Sequence, residues 1–449
     1  MNKFLSAAGL ALLLALASCN NSGPKNTGAS GDSGIQKIKH VVVIYLENHS
    51  YDNLYGQFEG ANGLQNAAST QTQDSAGKPY AYLPPVPGSK AFPTNLPNHP
   101  FNIDQYVPAN MMIPDLVHRF YQEQQQIDGG KMDKFAAISD SKGLSMGYYN
   151  TAQLLLAAEA KKYCLCDNMF HSAFGGSFLN HIWLVAAASP VFPQAPAKDV
   201  ARLDDKGNVE KDGFVTPDGY AVNTCFSVNA PHPAAVNSSD LLPNQTMPTI
   251  GDRLSEKNIS WAWYSGGWDD ALAGHPDESF QFHHQPFAYF ANYADGKPAK
   301  KEHLKDEKEF IAAAKAGTLP AVSFVKPIGI ENEHPGYSDI VSGEKHVEEL
   351  LNAIRNGPDW NDCVVIITYD ENGGFWDHVA PPQIDKWGPG SRVPGIVISP
   401  FAKKGAVDHT PYETVSILAF IEKRWGLKPL SSRDAQAGWF QNCFSFPNE

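Results

Sequence analysis

His40-Val41-Val42-Val43-Ile44-Tyr45-Leu46 runs directly into Glu47-Asn48, and far downstream Cys363-Val364-Val365-Ile366-Ile367-Thr368-Tyr369 runs into Asp370-Glu371-Asn372. Short apolar, β-branched runs bounded by polar turns read as fully buried strands. Ligands of open α/β sheets collect just beyond the carboxyl ends of such strands. Two acidic doublets in this one context read as oxygen donors for a cation, which offsets the repulsion between carboxylates brought together. The plainer reading of either doublet is a solvated strand-to-loop turn, since Asp and Asn favour turns.

Working outward, further strands are expected at Leu165 to His171, Ile259 to Tyr264, Ala321 to Val325 and Gly395 to Ser399. Helical composition and spacing mark Met112 to Gln126, Tyr149 to Tyr163, Ile182 to Ala188, Glu302 to Ala316, His346 to Arg355 and Glu413 to Trp425. Alternating strands and helices predict an α/β fold, a mostly parallel β-sheet sandwiched by helices. Gly60 to Pro108 is rich in Pro, Asn and Gln and reads as loop. Asp199 to Asn244 is polar, with many Gly and Pro, and marks a loop-rich insertion or cap at about residues 195–250.

The 449 residues are ample for a large buried core, and the formal charge is −13. That charge argues against a non-specific nucleic-acid binder, which needs a basic face. A phosphate substrate remains compatible where positive charge is local, from a metal, histidines or helix N-termini. Beyond Cys19 the cysteines are Cys164, Cys166, Cys225, Cys363 and Cys443. An odd number leaves at least one without an intrachain partner, and the set reads mostly as core positions.

Lys3 begins a short basic region, and Phe4 to Ala17 form an apolar stretch too short to span a membrane, as in a signal peptide. Leu16-Ala17-Ser18-Cys19 resembles a bacterial lipoprotein box. The expected organisation is a signal peptide over 1–18, a flexible Asn-, Ser- and Gly-rich tether over 19–36 and a folded domain over 37–449. Export to the periplasm or cell surface follows, with a lipid on Cys19 anchoring the chain to a membrane. The alternative is a secretory signal with an incidental cysteine.

Gly175-Gly176-Ser177 supplies a third constellation. A serine after two glycines at a loop-to-helix junction has an uncrowded hydroxyl, with amides beside it that suit an anion. It becomes a nucleophile when a base or a metal activates it. No Gly-x-Ser-x-Gly elbow surrounds Ser177, which speaks against an ordinary Ser-His-Asp esterase. The competing reading is a helix N-cap, a position serine favours. Histidines accompany it: His118 in the first helical stretch, His283-His284, His334 in Glu333-His334-Pro335-Gly336-Tyr337, and His378 after Asp377. Several lie on loops beyond strand ends, where they suit proton transfer and phosphate binding.

Taken together, these motifs resemble a known family. Glu47-Asn48-His49-Ser50-Tyr51-Asp52-Asn53-Leu54-Tyr55-Gly56 resembles the opening motif of the bacterial phosphoesterase family of non-haemolytic-type phospholipases C and a branch of acid phosphatases. Gly129 to Phe135, Ser172 to Asn180 and Asp370 to Pro382 are similar to its later motifs, in the same order, over roughly residues 38 to 430. Phospholipases C of that family carry threonine in a Gly-Pro-Thr-x-Pro-Asn loop. Gly175-Gly176-Ser177-Phe178-Leu179-Asn180-His181 is instead similar to the acid phosphatase branch, as are the His283-His284 and Glu333-His334 segments. The chain stops soon after this core, and the resemblance implies that the extra β-domains of longer phospholipases C are missing.

The resemblance implies an alkaline-phosphatase-like fold and a metal-dependent acid phosphatase that hydrolyses phosphomonoesters through a phosphoserine. Ser177 is then the nucleophile. Glu47, Asn48, Asp370 and Glu371, with Ser177 Oγ, hold one divalent metal ion, and Ca, Mg, Mn and Zn all accept oxygen donors. His118 and His334 shuttle protons, and His283, His284 and His378 bind substrate, with Asp377 bracing the metal loop. The alternatives are a phospholipase C acting on phosphodiester lipids and a non-catalytic surface-binding lipoprotein.

Overall fold

The computed structural model of the chain describes residues 34–67 and 72–447. The expected signal peptide and Cys19 lie outside the described residues.

Eight strands form the central sheet. They are β1 (His40–Leu46), β2 (Cys164–Cys166), β3 (Trp261–Ser265), β4 (Leu304–Asp306), β5 (Val322–Lys326), β6 (Cys363–Tyr369), β7 (Gly395–Ile398) and β8 (Ala406–Asp408). Their spatial order is β4-β3-β5-β1-β6-β7-β2-β8. Strand β7 runs antiparallel to both neighbours, and the other pairs are parallel. The sheet is thus mostly parallel, as the β-branched runs require. Val41 through Leu46 and Cys363 through Tyr369 are buried along their whole length, not on alternate residues. Burial on both faces demands cover on both faces. Helices Leu155–Lys162, Glu307–Ala316 and Ile340–Arg355 pack together as one layer, and Ser177–Ala186, Ile250–Glu256 and Val415–Trp425 as the other.

Pairing of β1 with β6 fixes the register that matters for chemistry. Leu46 lies opposite Tyr369, so Glu47 and Asp370 leave the sheet side by side at its carboxyl edge. The Asp370 amide donates to the Leu46 carbonyl at 3.0 Å, carrying the pairing one step further. Gly373 lets the second loop close on the first. It sits at φ +60, and a Cβ there would lie 2.1 Å from the Asn48 carbonyl oxygen.

The expected helix over Met112 to Gln126 is shorter, at Phe120–Ile127. Pro114 has no N–H and pushes its predecessor away from helical angles. The amides of Val117 and Phe120 donate instead to the side chains of Asp140 and Asn223. His118 therefore stands on a segment outside any helix or strand. Leu165 to His171 divides into β2 and a separate short strand, Met169–Phe170. Glu302 to Ala316 divides into Pro298–His303, β4 and Glu307–Ala316. Between the helices Ser177–Ala186 and Ile250–Glu256 the chain adds nothing to the central sheet. It forms two small two-stranded sheets there, Arg202–Leu203 with Val209–Lys211 and Phe226–Ser227 with Leu241–Leu242. The five described cysteines are free and buried. Among the described residues, no helix is long and apolar enough to cross a membrane.

Candidate active site

Ser177 is the first residue of the helix Ser177–Ala186, and Gly176 holds the cap position with extended backbone. Its hydroxyl is therefore not spent on capping. The loop before it is fixed by its own sequence. Gly175 has φ +85, and a Cβ there would lie 2.4 Å from the Phe120 amide nitrogen. The Gly175 amide donates to Glu123 Oε2 at 2.6 Å. Asn180 bridges the loop, accepting from the Ala173 amide at 3.0 Å and donating to the Ala173 carbonyl at 2.9 Å.

This anchoring presents Ser177 Oγ to both doublets, 3.4 Å from Asn48 Oδ1 and 3.3 Å from Glu371 Oε1. The other end of the Asn48 amide donates to His118 Nε2 at 3.2 Å and to His334 Nε2 at 3.0 Å. Each imidazole is oriented from behind, His118 Nδ1 donating to the Leu116 carbonyl at 2.5 Å and His334 Nδ1 to the Pro335 carbonyl at 2.6 Å. With the proton on Nδ1, the basic Nε2 of both rings faces Asn48. The two rings meet edge to face, 5.6 Å between centroids.

On the β5 side, Glu47 Oε1 contacts His284 Nε2 and lies 2.6 Å from Lys326 Nζ, while Oε2 lies 3.8 Å from His334 Nε2. His181, four residues after Ser177 and so on the same helix face, donates from Nδ1 to the Ser177 carbonyl at 2.7 Å. It stacks on His284 at 5.2 Å and lies 3.7 Å from Asp370 Oδ2.

Burial dominates the electrostatics. It pushes Asp370 well above the ordinary carboxylate range, and the Glu47 and Glu371 charges add to the shift. Glu371 is raised in the same way, by burial first. Burial also works against ionised Glu47, but His284 and then Lys326 outweigh it and hold its carboxyl well below the usual value. Burial lowers His284 to about 4 and takes His181 and His283 well below the ordinary histidine value. Three carboxylates thus crowd a buried site beside a serine. Asp370 Oδ2 is buried with no hydrogen-bond partner. An orphaned carboxyl oxygen among amide, carboxylate and hydroxyl oxygens fits a divalent cation. Nitrogen ligands are at hand too: Glu47, His181 and His284 bring one ligand atom each within 4.8 Å of one another, as do Asp115, His118 and His334.

A cavity of about 340 Å³ opens over this centre, lined by Glu47, His118, Ser177, His283, His334 and Tyr337 among others. Asn223 and Thr224, from the segment expected as a cap, form part of its wall. His284 lies behind Glu47 and not on the cavity wall. His378 stands apart as well. Its Nδ1 pairs with Asp52 Oδ2 at 2.6 Å and its Nε2 with Asn62 Oδ1 at 3.1 Å, so both ring nitrogens are occupied away from the cavity. Asp377 is paired with Arg392 at 2.8 Å in the same network. Two groups escaped the sequence reading, Lys326 and His181. Lys326 obeys the strand-end rule that singled out the doublets, and the i, i+4 spacing from Ser177 pointed to His181.

The profile of the Phosphoesterase family matches residues 38–428. The chain is 25% identical to the non-hemolytic phospholipase C of Pseudomonas aeruginosa, over 92% of this chain and 58% of that one. It is 26% identical to non-specific phospholipase C6 of Arabidopsis thaliana, over 91% of this chain and 72% of that one. The chain thus spans a little over half the length of the Pseudomonas protein. A solved structure of a protein in the alkaline phosphatase superfamily from Vibrio parahaemolyticus aligns over 76% of this chain and 74% of that one, with 10% identity and a TM-score of 0.35.

Proposed function

Since the chain belongs to the Phosphoesterase family, we propose that it is a metal-dependent acid phosphatase acting on phosphomonoesters, with Ser177 as nucleophile. The observation that carries this reading is the hydroxyl of Ser177, freed from capping by Gly176 and lying between Asn48 Oδ1 and Glu371 Oε1. Glu47, Asn48, Asp370, Glu371 and Ser177 Oγ would hold one divalent ion, with Ca, Mg, Mn and Zn all compatible with oxygen donors. When bound, the ion would lower the hydroxyl pKa and offset phosphoryl charge.

The chain's own groups do the rest. The loop anchored by Glu123 and Asn180 aims Ser177 Oγ into the cavity for in-line attack on phosphorus. The bond to the leaving alcohol breaks as the phosphoserine bond forms. The first amides of the helix Ser177–Ala186 lie where phosphoryl oxygens gather, as helix N-termini favour anions. His283 lines the cavity as a donor to those oxygens. His334 or His118 takes the Ser177 hydroxyl proton at its basic Nε2 and gives it to the leaving oxygen, then takes one from the attacking water and returns it to Ser177 Oγ as phosphate departs. The segment carrying Asn223 and Thr224 acts as a cap over the leaving group. Export and a lipid on Cys19 would hold the enzyme at a membrane, facing phosphate esters outside the cytoplasm.

One observation favours a second reading. Asp115 and Asp140 line the same cavity. Two carboxylates there suit a cationic head group, as on a choline phosphodiester, and hence a phospholipase C. The chelated enzyme, supplied again with each metal, should be assayed on p-nitrophenyl phosphate and p-nitrophenyl phosphorylcholine. Faster turnover of the monoester supports the phosphatase; faster turnover of the diester supports the phospholipase. Turnover of neither supports a non-catalytic lipoprotein.

A further inference from the structure

Lys326 ends β5, next to Tyr45 of β1, with its side chain 0% exposed. Its ammonium lies 2.6 Å from Glu47 Oε1 and 5.6 Å from the centre of the Tyr45 ring. A lysine is rarely buried unless paired, because desolvating the ammonium is costly. Here the compensation comes from the acidic centre itself. Glu47, Asp370 and Glu371 are buried carboxylates grouped around Ser177. Arg119, which also lines the cavity, is engaged by Asp212 at 2.5 Å.

We propose that Lys326 is a positioning residue of the metal centre, a built-in monocation that sets both the charge and the shape of the site. With Glu47, Asp370 and Glu371 all ionised around a bound ion, the Lys326 charge leaves a net of two negative charges, matched to one divalent ion. Lys326 and His284 contact Glu47 Oε1 as ion pairs without hydrogen-bond geometry, while Oε2 lies towards His334, so in this proposal Oε2 is the oxygen offered to the ion. This rests on the metallophosphatase reading above.

The test uses the full chain, stripped by chelation and titrated with Ca²⁺ and with Tb³⁺, ions of similar size and oxygen preference but different charge. Site binding is the part of the Tb³⁺ emission that disappears in Asp370→Asn. Removing a fixed positive charge changes the binding free energy, and so the logarithm of the affinity, in proportion to the charge of the ion. Lys326→Met should therefore raise the Tb³⁺-to-Ca²⁺ affinity ratio about tenfold or more. Lys326→Arg, which keeps the charge, should leave that ratio within about threefold of the parent. If the methionine variant does not fold, Lys326→Gln carries the same reading. An unchanged ratio in a folded, uncharged variant overturns the proposal while leaving the metal site standing. A parent protein that binds neither ion at the Asp370-dependent site overturns both.

Discussion

Arg392→Met should be among the most destabilising single substitutions in this chain, although Arg392 touches no group at the reacting centre. The guanidinium is fully buried. It donates from Nε to Asp377 Oδ1 at 2.8 Å and from one terminal nitrogen to Asp377 Oδ2 and Asp52 Oδ1, each at 3.2 Å. The other terminal nitrogen donates to the carbonyls of Asn62 and Asp167 at 2.8 and 2.7 Å. Methionine fills much of the volume but leaves Asp377 without its guanidinium partner and Asp52 with only the His378 ring beside it. Breaking a buried ion pair from one side costs about 3–5 kcal/mol, because the stranded charge stays desolvated. Urea unfolding at neutral pH, read from the midpoint at constant slope, measures the loss. The double variant Arg392→Met/Asp377→Asn should recover part of it, since one stranded charge is gone. A loss below about 1 kcal/mol for Arg392→Met would show that water or rearrangement serves these carboxylates equally well, and the network argument would fail.

Other expectations can be checked on the same preparations. His334→Asn should lower turnover about a hundredfold or more, as loss of a general acid does. His378→Asn should stay within about threefold per folded molecule, and kinetics corrected for folded fraction separate the two. Burial, with Asp434 beside it, raises the Glu422 carboxyl to about 9. A group whose folded pKa lies above its unfolded one contributes stability below the unfolded value, near 4.5, and loses it as pH rises towards about 9. Glu422→Gln should therefore flatten the decline of melting temperature between those limits, and a curve parallel to the parent's would contradict the assignment. Cys19→Ser should move the protein from the detergent phase to the aqueous phase on phase partition, whereas equal partition of both forms would rule out a lipid anchor.

The fold was legible where burial left the strongest mark. The strand Cys363–Tyr369 was read with the bounds the structure gives it, because both faces are buried and the run is uninterrupted. Strands β4 and β8 went unseen, since Leu304-Lys305-Asp306 and Ala406-Val407-Asp408 are too short for any periodicity to register. Met112 to Gln126 misled because helical composition continued through Pro114, while the competing partners of its amides, Asp140 and Asn223, are remote in sequence. The centre shows the same division. The doublets and the Gly-Gly-Ser loop announced themselves by residue type and context. Lys326 did not, for a lysine at a strand end reads as an ordinary solvated residue until the strand beside it is known. His378 misled in the opposite direction, for its closeness to the metal-loop motif in sequence gave no sign that Asp52 and Asn62 occupy its ring.

The most direct test asks whether Ser177 carries the phosphoryl group. Enzyme loaded with metal is mixed with a slow phosphomonoester, quenched in acid within the first turnovers, digested and read by mass spectrometry. Phosphoserine is stable in acid, whereas phosphohistidine is lost, so a parallel alkaline quench records any label on histidine. The account predicts up to one phosphate per chain, on the peptide containing Ser177, and none in Ser177→Ala, which should also lose turnover by several orders of magnitude. Phosphate found on a histidine, or steady turnover with no phosphate on Ser177 at any time point, would contradict it.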